Sequence, residues 1–179
     1  MKTLENVTAA IQNLNIIRHV LTDDGQFPNN GRLPLLVYQN VLQATDRKTI
    51  QDLFESNSWT NAWEDGIYNF HHYHSTAHEV LAASKGTARI QFGGPSGVAL
   101  SLNVGDVVVI PAGVAHCFLE GDTDFKVVGA YPDNQSYDLL KGEPQDRPNA
   151  DQNIQSLSLP ENDPIYGADG PLLKNWKTK

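Results

Sequence analysis

Between residues 63 and 131 the chain is a series of short runs rich in β-branched and aromatic residues, separated by glycine-bearing turns about every ten residues. Turn signals at this spacing are typical of antiparallel sandwiches and barrels. We therefore predict an all-β fold. The predicted strands of this region are 66–74, 79–84, 88–92, 98–102, 107–110, 115–119 and 125–131, and two earlier ones are 16–21 and 35–38.

Three helical segments are predicted outside this region. In the first fifteen residues Leu4, Val7, Ile11 and Leu14 recur at helical spacing behind Thr3, a residue type that caps helices. This pattern predicts a short amphipathic N-terminal helix.

The second predicted helix runs from Asp46, as the N-terminal cap, through Asn57. Its apolar residues form one stripe, made by Ile50, Leu53 and Phe54. Beyond Asp138 the chain becomes polar and rich in proline, and a third short helix is predicted near 150–157.

The charge balance argues against two classes of partner. The chain has 13 basic and 21 acidic side chains and a formal charge of −8, without a cluster of Lys or Arg that could follow a phosphate backbone. Its apolar runs are much shorter than the ~20 residues that span a bilayer. Residues 1–15 also lack the apolar core of a signal peptide. We expect no nucleic-acid partner, no membrane span and a cytoplasmic location.

Cys117 is the only cysteine, so an internal disulfide is impossible. Two interpretations are open: a buried structural thiol, or a redox or ligand role beside the neighbouring His116. Adjacent side chains of a strand point to opposite faces, which favours the structural thiol.

Five of the six histidines fall between positions 71 and 116. On a strand, His72 and His74 would project from the same face, so both imidazoles can reach one ion. Glu79 follows a predicted turn, and His116 follows the turn Pro111-Ala112-Gly113. Three imidazoles and one carboxylate suit a divalent transition metal and leave positions open for substrate or water. We predict one such ion per chain, Fe, Mn, Ni or Zn, on His72, His74, Glu79 and His116.

His78 is an alternative to Glu79, because it would complete a site made of imidazoles alone. Both residues lie at the start of one predicted strand, so only one of them can face the interior. His71 is expected to pack or to lie at the surface, and His19 to be structural.

The histidine region resembles the cupin superfamily. The first cupin motif, G-x5-H-x-H-x3-4-E-x6-G, is matched by Gly66, His72, His74, Glu79 and Gly86. The second motif, G-x5-P-x-G-x2-H-x3-N, is matched by Gly105, Pro111, Gly113 and His116, with Glu120 in place of the final Asn. Further segments, among them residues 28–35 and 163–172, are similar to the YjlB-type cupins.

The resemblance implies a cupin jelly-roll β-barrel with short N-terminal and peripheral helices. It implies a single domain over residues 1–179, with a metal-binding barrel core at about 60–135, an N-terminal extension at 1–58 and a C-terminal one at 138–179. Such extensions often form dimers in the family, so we expect a homodimer.

The function implied is that of a metal-dependent enzyme, dioxygenase-like or isomerase-like, acting on a small organic molecule. The alternative is a non-catalytic module that binds or stores a small ligand around a structural or ligand-anchoring metal. The jelly-roll fold does not distinguish the enzyme from the binding module, because one fold hosts many functions. Arg89 and Gln91 are candidates for polar contacts to a ligand. The sequence does not determine which face of the sheet their side chains lie on.

Overall fold

In the computed structural model, which describes residues 6–177, nine β-strands form two antiparallel sheets and three α-helices surround them. The strands are β1 (Asn15–Leu21), β2 (Asn30–Gln39), β3 (Trp59–Asp65), β4 (Glu79–Lys85), β5 (Ala88–Phe92), β6 (Val98–Leu102), β7 (Val107–Ile110), β8 (His116–Gly121) and β9 (Lys126–Pro132). The helices are α1 (Arg47–Ser56), α2 (Asn149–Ser156) and α3 (Pro171–Asn175). The large sheet has the order β1-β2-β7-β4-β9-β3, and the small sheet β6-β5-β8. This is the all-β jelly-roll architecture that the sequence predicts.

The central strands of the large sheet, β2, β7, β4 and β9, are largely buried on both faces. One face packs against the small sheet in an interior cluster that includes Leu81, Val127 and Ile90. The opposite face packs against α1 and the C-terminal segment in a second cluster that includes Phe54 and Trp176. Two-sided burial explains the continuous apolar runs at 35–38 and 107–110, since strands covered on both faces need no polar alternation.

Helix α1 confirms the prediction for residues 46–57. The Asp46 side chain accepts the Thr49 backbone N–H at 3.0 Å and so caps the first turn. The predicted stripe of Ile50, Leu53 and Phe54 is buried against the large sheet. No helix within residues 6–177 is long and apolar enough to cross a membrane.

The predicted N-terminal helix is wrong over the residues that the structure describes; Thr3 and Leu4 lie outside them. Thr8 forms a β-bridge with Leu42, flanked by hydrogen bonds from Ala9 N–H to Val41 O and from Gln43 N–H to Val7 O, both 2.7 Å. Backbone groups that pair with a distant segment cannot also close helical turns. Within residues 7–14 the helical structure is one 3-10 turn at Ile11–Asn13.

The predicted strand at 66–74 is also wrong, and β3 was not predicted. The segment between β3 and β4 is irregular, with isolated bridges at His72 and Tyr73. The two bridges go to different partners, His116 and Leu140, so no continuous ladder forms. Each other predicted strand overlaps an observed one, and β5, β6 and β7 have the predicted bounds.

The C-terminal segment is attached to the barrel by the fully buried Asp163. Its carboxylate accepts the Tyr38 hydroxyl at 2.6 Å and the Leu172 N–H at 3.0 Å, as well as two neighbouring backbone N–H groups. Gly170 packs so closely on this carboxylate that a Cβ there would lie 2.1 Å from the Asp163 Cβ. The chain after α2 is thereby held against the large sheet, where Leu172 and Trp176 join the second cluster.

Candidate metal centre

Three buried imidazoles converge at one end of the barrel. His72, His74 and His116 each offer a ring nitrogen, and these nitrogens all lie within 4.8 Å of one another. Each of the three residues is at most 7% exposed. A cluster of this kind could hold a metal ion.

Backbone pairing sets the positions of the three imidazoles. His72 and His116 face each other in an isolated antiparallel bridge, with N···O distances of 3.2 and 2.9 Å, and their ring centroids are 4.1 Å apart. The Gly113 N–H donates to the His74 carbonyl at 2.8 Å. The turn before β8 therefore aligns the histidine segment with the start of that strand.

The tautomer of each ring follows from its partner. All three Nδ1 atoms face backbone carbonyls, which can only accept, so each Nδ1 carries the proton and each Nε2 keeps its lone pair. The acceptors for His72, His74 and His116 are the carbonyls of Phe70 (3.0 Å), Asp138 and Val114 (3.1 Å). Such outer hydrogen bonds orient imidazoles and raise their basicity as metal ligands.

Glu79, the first residue of β4, brings a carboxylate to the same point. Its Oε2 lies 3.3 Å from His74 Nε2 and 3.2 Å from His116 Nε2. This oxygen is buried and has no hydrogen-bond partner among the described residues. An anionic oxygen beside two nitrogen lone pairs is unfavourable unless a cation lies between them. The residues present therefore fit a divalent metal ion.

Electrostatics within the cluster support the same conclusion. Burial, with the neighbouring His116, lowers the pKa of His72 to about 3, so its ring is neutral and free to ligate. Burial also acts to lower the pKa of His74, but the Glu79 carboxylate outweighs it and the pKa is raised above its usual 6.5. A positive charge placed between these groups is therefore electrostatically favourable.

Glu79 is held from its other side by a chain of hydrogen bonds. The Tyr131 hydroxyl donates to Glu79 Oε1 at 3.3 Å and accepts the indole N–H of Trp63 at 2.8 Å. Burial and the Glu79 charge raise the pKa of Tyr131, so the phenol keeps its proton. The chain leaves Oε2 as the carboxylate oxygen that faces the imidazoles.

A cavity of about 280 Å³ opens beside the cluster. The three histidines and Glu79 lie in its wall, together with Leu81 from the interior face of β4. The remaining lining comes from β3 and the segment after it, and from β9 and the segment after it: Trp63, Glu64, Asp65, Gly66, Ile67, Tyr68, Tyr131, Tyr137 and Leu139. A small molecule in this cavity would contact the ligating groups directly.

The other histidines lie outside the cluster. His78 Nδ1 accepts the Ala112 N–H at 2.9 Å, and its ring packs 4.8 Å from that of Trp176. Burial lowers the pKa of His78 to about 4. His71 packs against Phe27, with ring centroids 5.7 Å apart.

The remaining polar candidates also lie away from the cavity. Arg89 is exposed, and the Gln91 side chain donates to the Gly94 carbonyl at 3.0 Å. Cys117 is buried, and its thiol lies 3.4 Å from the Phe118 carbonyl.

Sequence reasoning missed several residues that build this site. Trp63, Tyr131 and Tyr137 line the cavity, and Asp138 holds the turn after His74 by accepting from Ser75 and Thr76. None of the four belongs to the histidine pattern, so spacing could not have identified them.

The comparisons with known proteins agree with this architecture. The family model described as "Cupin" matches residues 41–140. A relative in Bacillus subtilis (strain 168), the uncharacterized protein YjlB, is 46% identical over 154 residues, which cover 86% of this chain and 92% of that protein.

Two solved structures match this chain at low identity. The DMSP lyase DddQ from Ruegeria pomeroyi DSS-3 has a TM-score of 0.37 and 15% identity over 81% of this chain. A vicilin from Solanum lycopersicum (tomato) also has a TM-score of 0.37, with 19% identity over 79% of this chain. The chain spans 61% and 38% of the lengths of these two proteins. At such TM-scores the likenesses carry no argument about function.

One assignment follows from four observations: the two jelly-roll sheets, the buried histidine cluster, the family match over residues 41–140 and the 46% identity to YjlB. This chain belongs to the cupin family and is of the YjlB type.

Proposed function

We propose that this cupin is a metal-dependent enzyme that acts on a small organic molecule, with dioxygenase-like or isomerase-like chemistry. The observation that carries the proposal is that His72, His74, His116 and the Glu79 carboxylate, the proposed ligands, all lie in the wall of one cavity. A purely structural ion is enclosed by its ligands, whereas a catalytic one needs an open position that substrate can reach.

The proposed ligands are His72, His74, Glu79 and His116, holding one divalent ion, Fe, Mn, Ni or Zn. Such an ion supplies Lewis acidity towards a substrate oxygen, or redox chemistry towards dioxygen. The three Nδ1–H groups keep the imidazoles oriented, and Tyr131 keeps the Glu79 carboxylate oriented.

The described segments outside the barrel are proposed to belong to the same single domain over residues 1–179, with its core at about 60–135. Support comes from the second hydrophobic cluster, in which Val7, Leu172 and Trp176 pack with residues of the large sheet. A homodimer is a further proposal from the family resemblance, and a cytoplasmic location is one from the short apolar runs of the sequence.

The proposal is tested by restoring each metal to the stripped protein and screening small organic molecules for turnover. Dioxygen uptake would indicate a dioxygenase, and conversion to a product of the same mass an isomerase. Activity should depend on the metal and be lost in His116→Ala, while the exposed variant Asp169→Asn keeps it.

The alternative, a binding or storage module, predicts a different result. A compound bound to the metal-loaded protein would then be recovered unchanged, with every metal and in the presence of dioxygen. Mass spectrometry of ligand extracted before and after incubation distinguishes the two. Unchanged ligand throughout would contradict the enzyme proposal.

A further inference from the structure

The cavity wall beside the histidines is aromatic, with Tyr68 packed on His72 and Tyr137 on His74. The rings of Tyr131 and Tyr137 stack with centroids 4.7 Å apart, and Tyr68 stacks on Phe70 at 4.8 Å. Trp63 lies flat on the backbone of Gly129, where a Cβ would be 2.4 Å from the indole ring. Aromatic faces carry partial negative charge and attract cations placed against them.

The charges in the same wall have one sign. Glu64 and Asp65 line the cavity in addition to Glu79, and none of the described lining residues is Lys or Arg. Lys141 is nearby, but its ammonium lies over the Phe70 ring, 4.8 Å from the centroid, and is not part of the lining. A carboxylate or phosphate on a ligand would therefore find no cationic side chain in this wall.

Asp65 is the wall carboxylate best placed to meet a ligand. It is in register with Val127, which packs in the interior cluster, so it lies on the face of β3 that borders the cavity, at the end of the strand, where the residue is exposed to solvent. One oxygen accepts the Gly66 N–H at 2.7 Å, which leaves the other oxygen available. Glu64, in contrast, already accepts from Ser84 at 2.9 Å.

Glu79 is the third carboxylate of this wall. Glu79 Oε2, in a side chain only 2% exposed, borders the cavity without a hydrogen-bond partner among the described residues. With a metal ion on it, that charge is compensated. Asp65 and the aromatic rings are then the groups that contact the end of the ligand farther from the metal ion, called its outer end below.

We propose that the cavity takes a small organic cation, a molecule whose ammonium group lies against Asp65 and the aromatic rings while its other end faces the histidine cluster. This inference rests on the proposed function in taking the cavity as the substrate site. The volume of about 280 Å³ is at the lower end for ligand pockets, which limits the molecule to small size.

The test compares two probes of the same shape, choline and its uncharged carbon isostere 3,3-dimethylbutan-1-ol, by calorimetric titration of the metal-loaded protein. Both carry the same hydroxyl, so they differ only in the charge of the outer end. Cation–π contacts predict that choline binds about two- to thirty-fold more tightly.

Two variants separate the contributions of the wall. Asp65→Asn removes the charge without changing the shape, and is expected to weaken choline binding about two- to five-fold while leaving the isostere unchanged. Tyr137→Leu is expected to reduce the preference for choline by a similar factor. Asp169→Asn, an exposed carboxylate outside the cavity, is the matched control and should change neither probe.

The inference is overturned if the isostere binds as tightly as choline, if neither binds at millimolar concentration, or if Asp65→Asn leaves their ratio unchanged. Metal content, measured on the same samples, reports on the metal centre separately. If the chain binds no metal yet prefers choline, the metal centre fails and the cation site stands. If it binds metal and shows no preference, only the cation site fails.

Discussion

At the scale of single residues, metal binding by the histidine cluster depends on which imidazole nitrogens carry protons. The backbone carbonyls fix all three Nδ1 atoms as donors, so three lone pairs and one unpartnered carboxylate oxygen point at a common space. His78 has the opposite arrangement, because its Nδ1 accepts a backbone N–H. The same residue type is therefore a candidate ligand in one place and a structural group in the other.

Replacing Glu79 by Gln tests its role as a ligand. The amide keeps the size of the side chain but removes the negative charge that offsets the ion. Outer-sphere changes at metal sites cost about 10- to 100-fold in affinity, so loss of a direct ligand is expected to cost at least tenfold. Titration of the stripped variant with each metal measures the loss.

The matched control is His78→Asn, whose side-chain oxygen can still accept the Ala112 N–H. It is expected to bind metal with wild-type affinity. If this variant loses the ion and Glu79→Gln keeps it, the site consists of histidines and the ligand set proposed above is wrong at Glu79.

The candidate ligands were predictable from the sequence because the motif spacing concerns residues that are close along the chain or follow a recognisable turn. Tyr131 and Asp138 were not predictable in the same way. They reach the site from β9 and the segment after it, more than fifty residues from Glu79 and the histidine turn. Only the sheet order, with β9 beside β4, makes them neighbours.

At the scale of elements, the C-terminal segment depends on one carboxylate. Asp163→Ala would leave the buried Tyr38 hydroxyl and the Leu172 N–H without their acceptor. Each unsatisfied buried group costs about 1–3 kcal/mol, so we expect these two groups to lower the free energy of unfolding by at least about 2 kcal/mol. Denaturant unfolding measures it, and the exposed Asp169→Ala should stay within about 0.5 kcal/mol of wild type. Equal stability of both variants would contradict the role of Asp163.

A second element-scale prediction concerns pH. Arg147 donates to Asp23, in the turn after β1, and to Asp151 in α2, and these hydrogen bonds lower the pKa of both carboxyls below 3.8. A carboxyl whose pKa is lower in the folded than in the unfolded state stabilises the fold above its unfolded-state pKa. This stabilisation is lost as the pH falls through the folded-state pKa. Because the groups are partly exposed, we expect about 1 kcal/mol or less.

Arg147→Gln is therefore expected to be less stable than wild type at neutral pH, and the difference is expected to shrink at acidic pH as both carboxyls become protonated. Urea unfolding over this pH range checks the convergence. A stability difference that is the same at every pH would mean that packing, and not charge, is what Arg147 contributes.

Helix α1 and most strands followed from local patterns because their cap, stripe and turns lie within a few residues of one another. The N-terminal segment and the histidine segment did not. Their backbone partners, Val41 and Leu140 among them, lie far away in the sequence, and such pairings override local periodicity.

At the scale of the whole molecule, the fold is expected to be independent of the metal. Two large hydrophobic clusters, one on each face of the large sheet, exist without any contribution from the ligating atoms. Chelator treatment should leave the far-ultraviolet circular dichroism and cooperative unfolding intact. Adding metal at about a hundred times its Kd should raise the unfolding free energy by about 2.7 kcal/mol. A stripped protein that is unfolded would contradict this prediction.

The central claim, that the histidine cluster holds a metal ion, is tested most directly by calorimetric titration of the stripped protein with Fe(II), Mn(II), Ni(II) and Zn(II). The account predicts saturation at one ion per chain for at least one of them, and loss of that binding in a variant carrying His74→Ala and His116→Ala. Absence of binding for all four ions, or binding that this double variant retains, would contradict it.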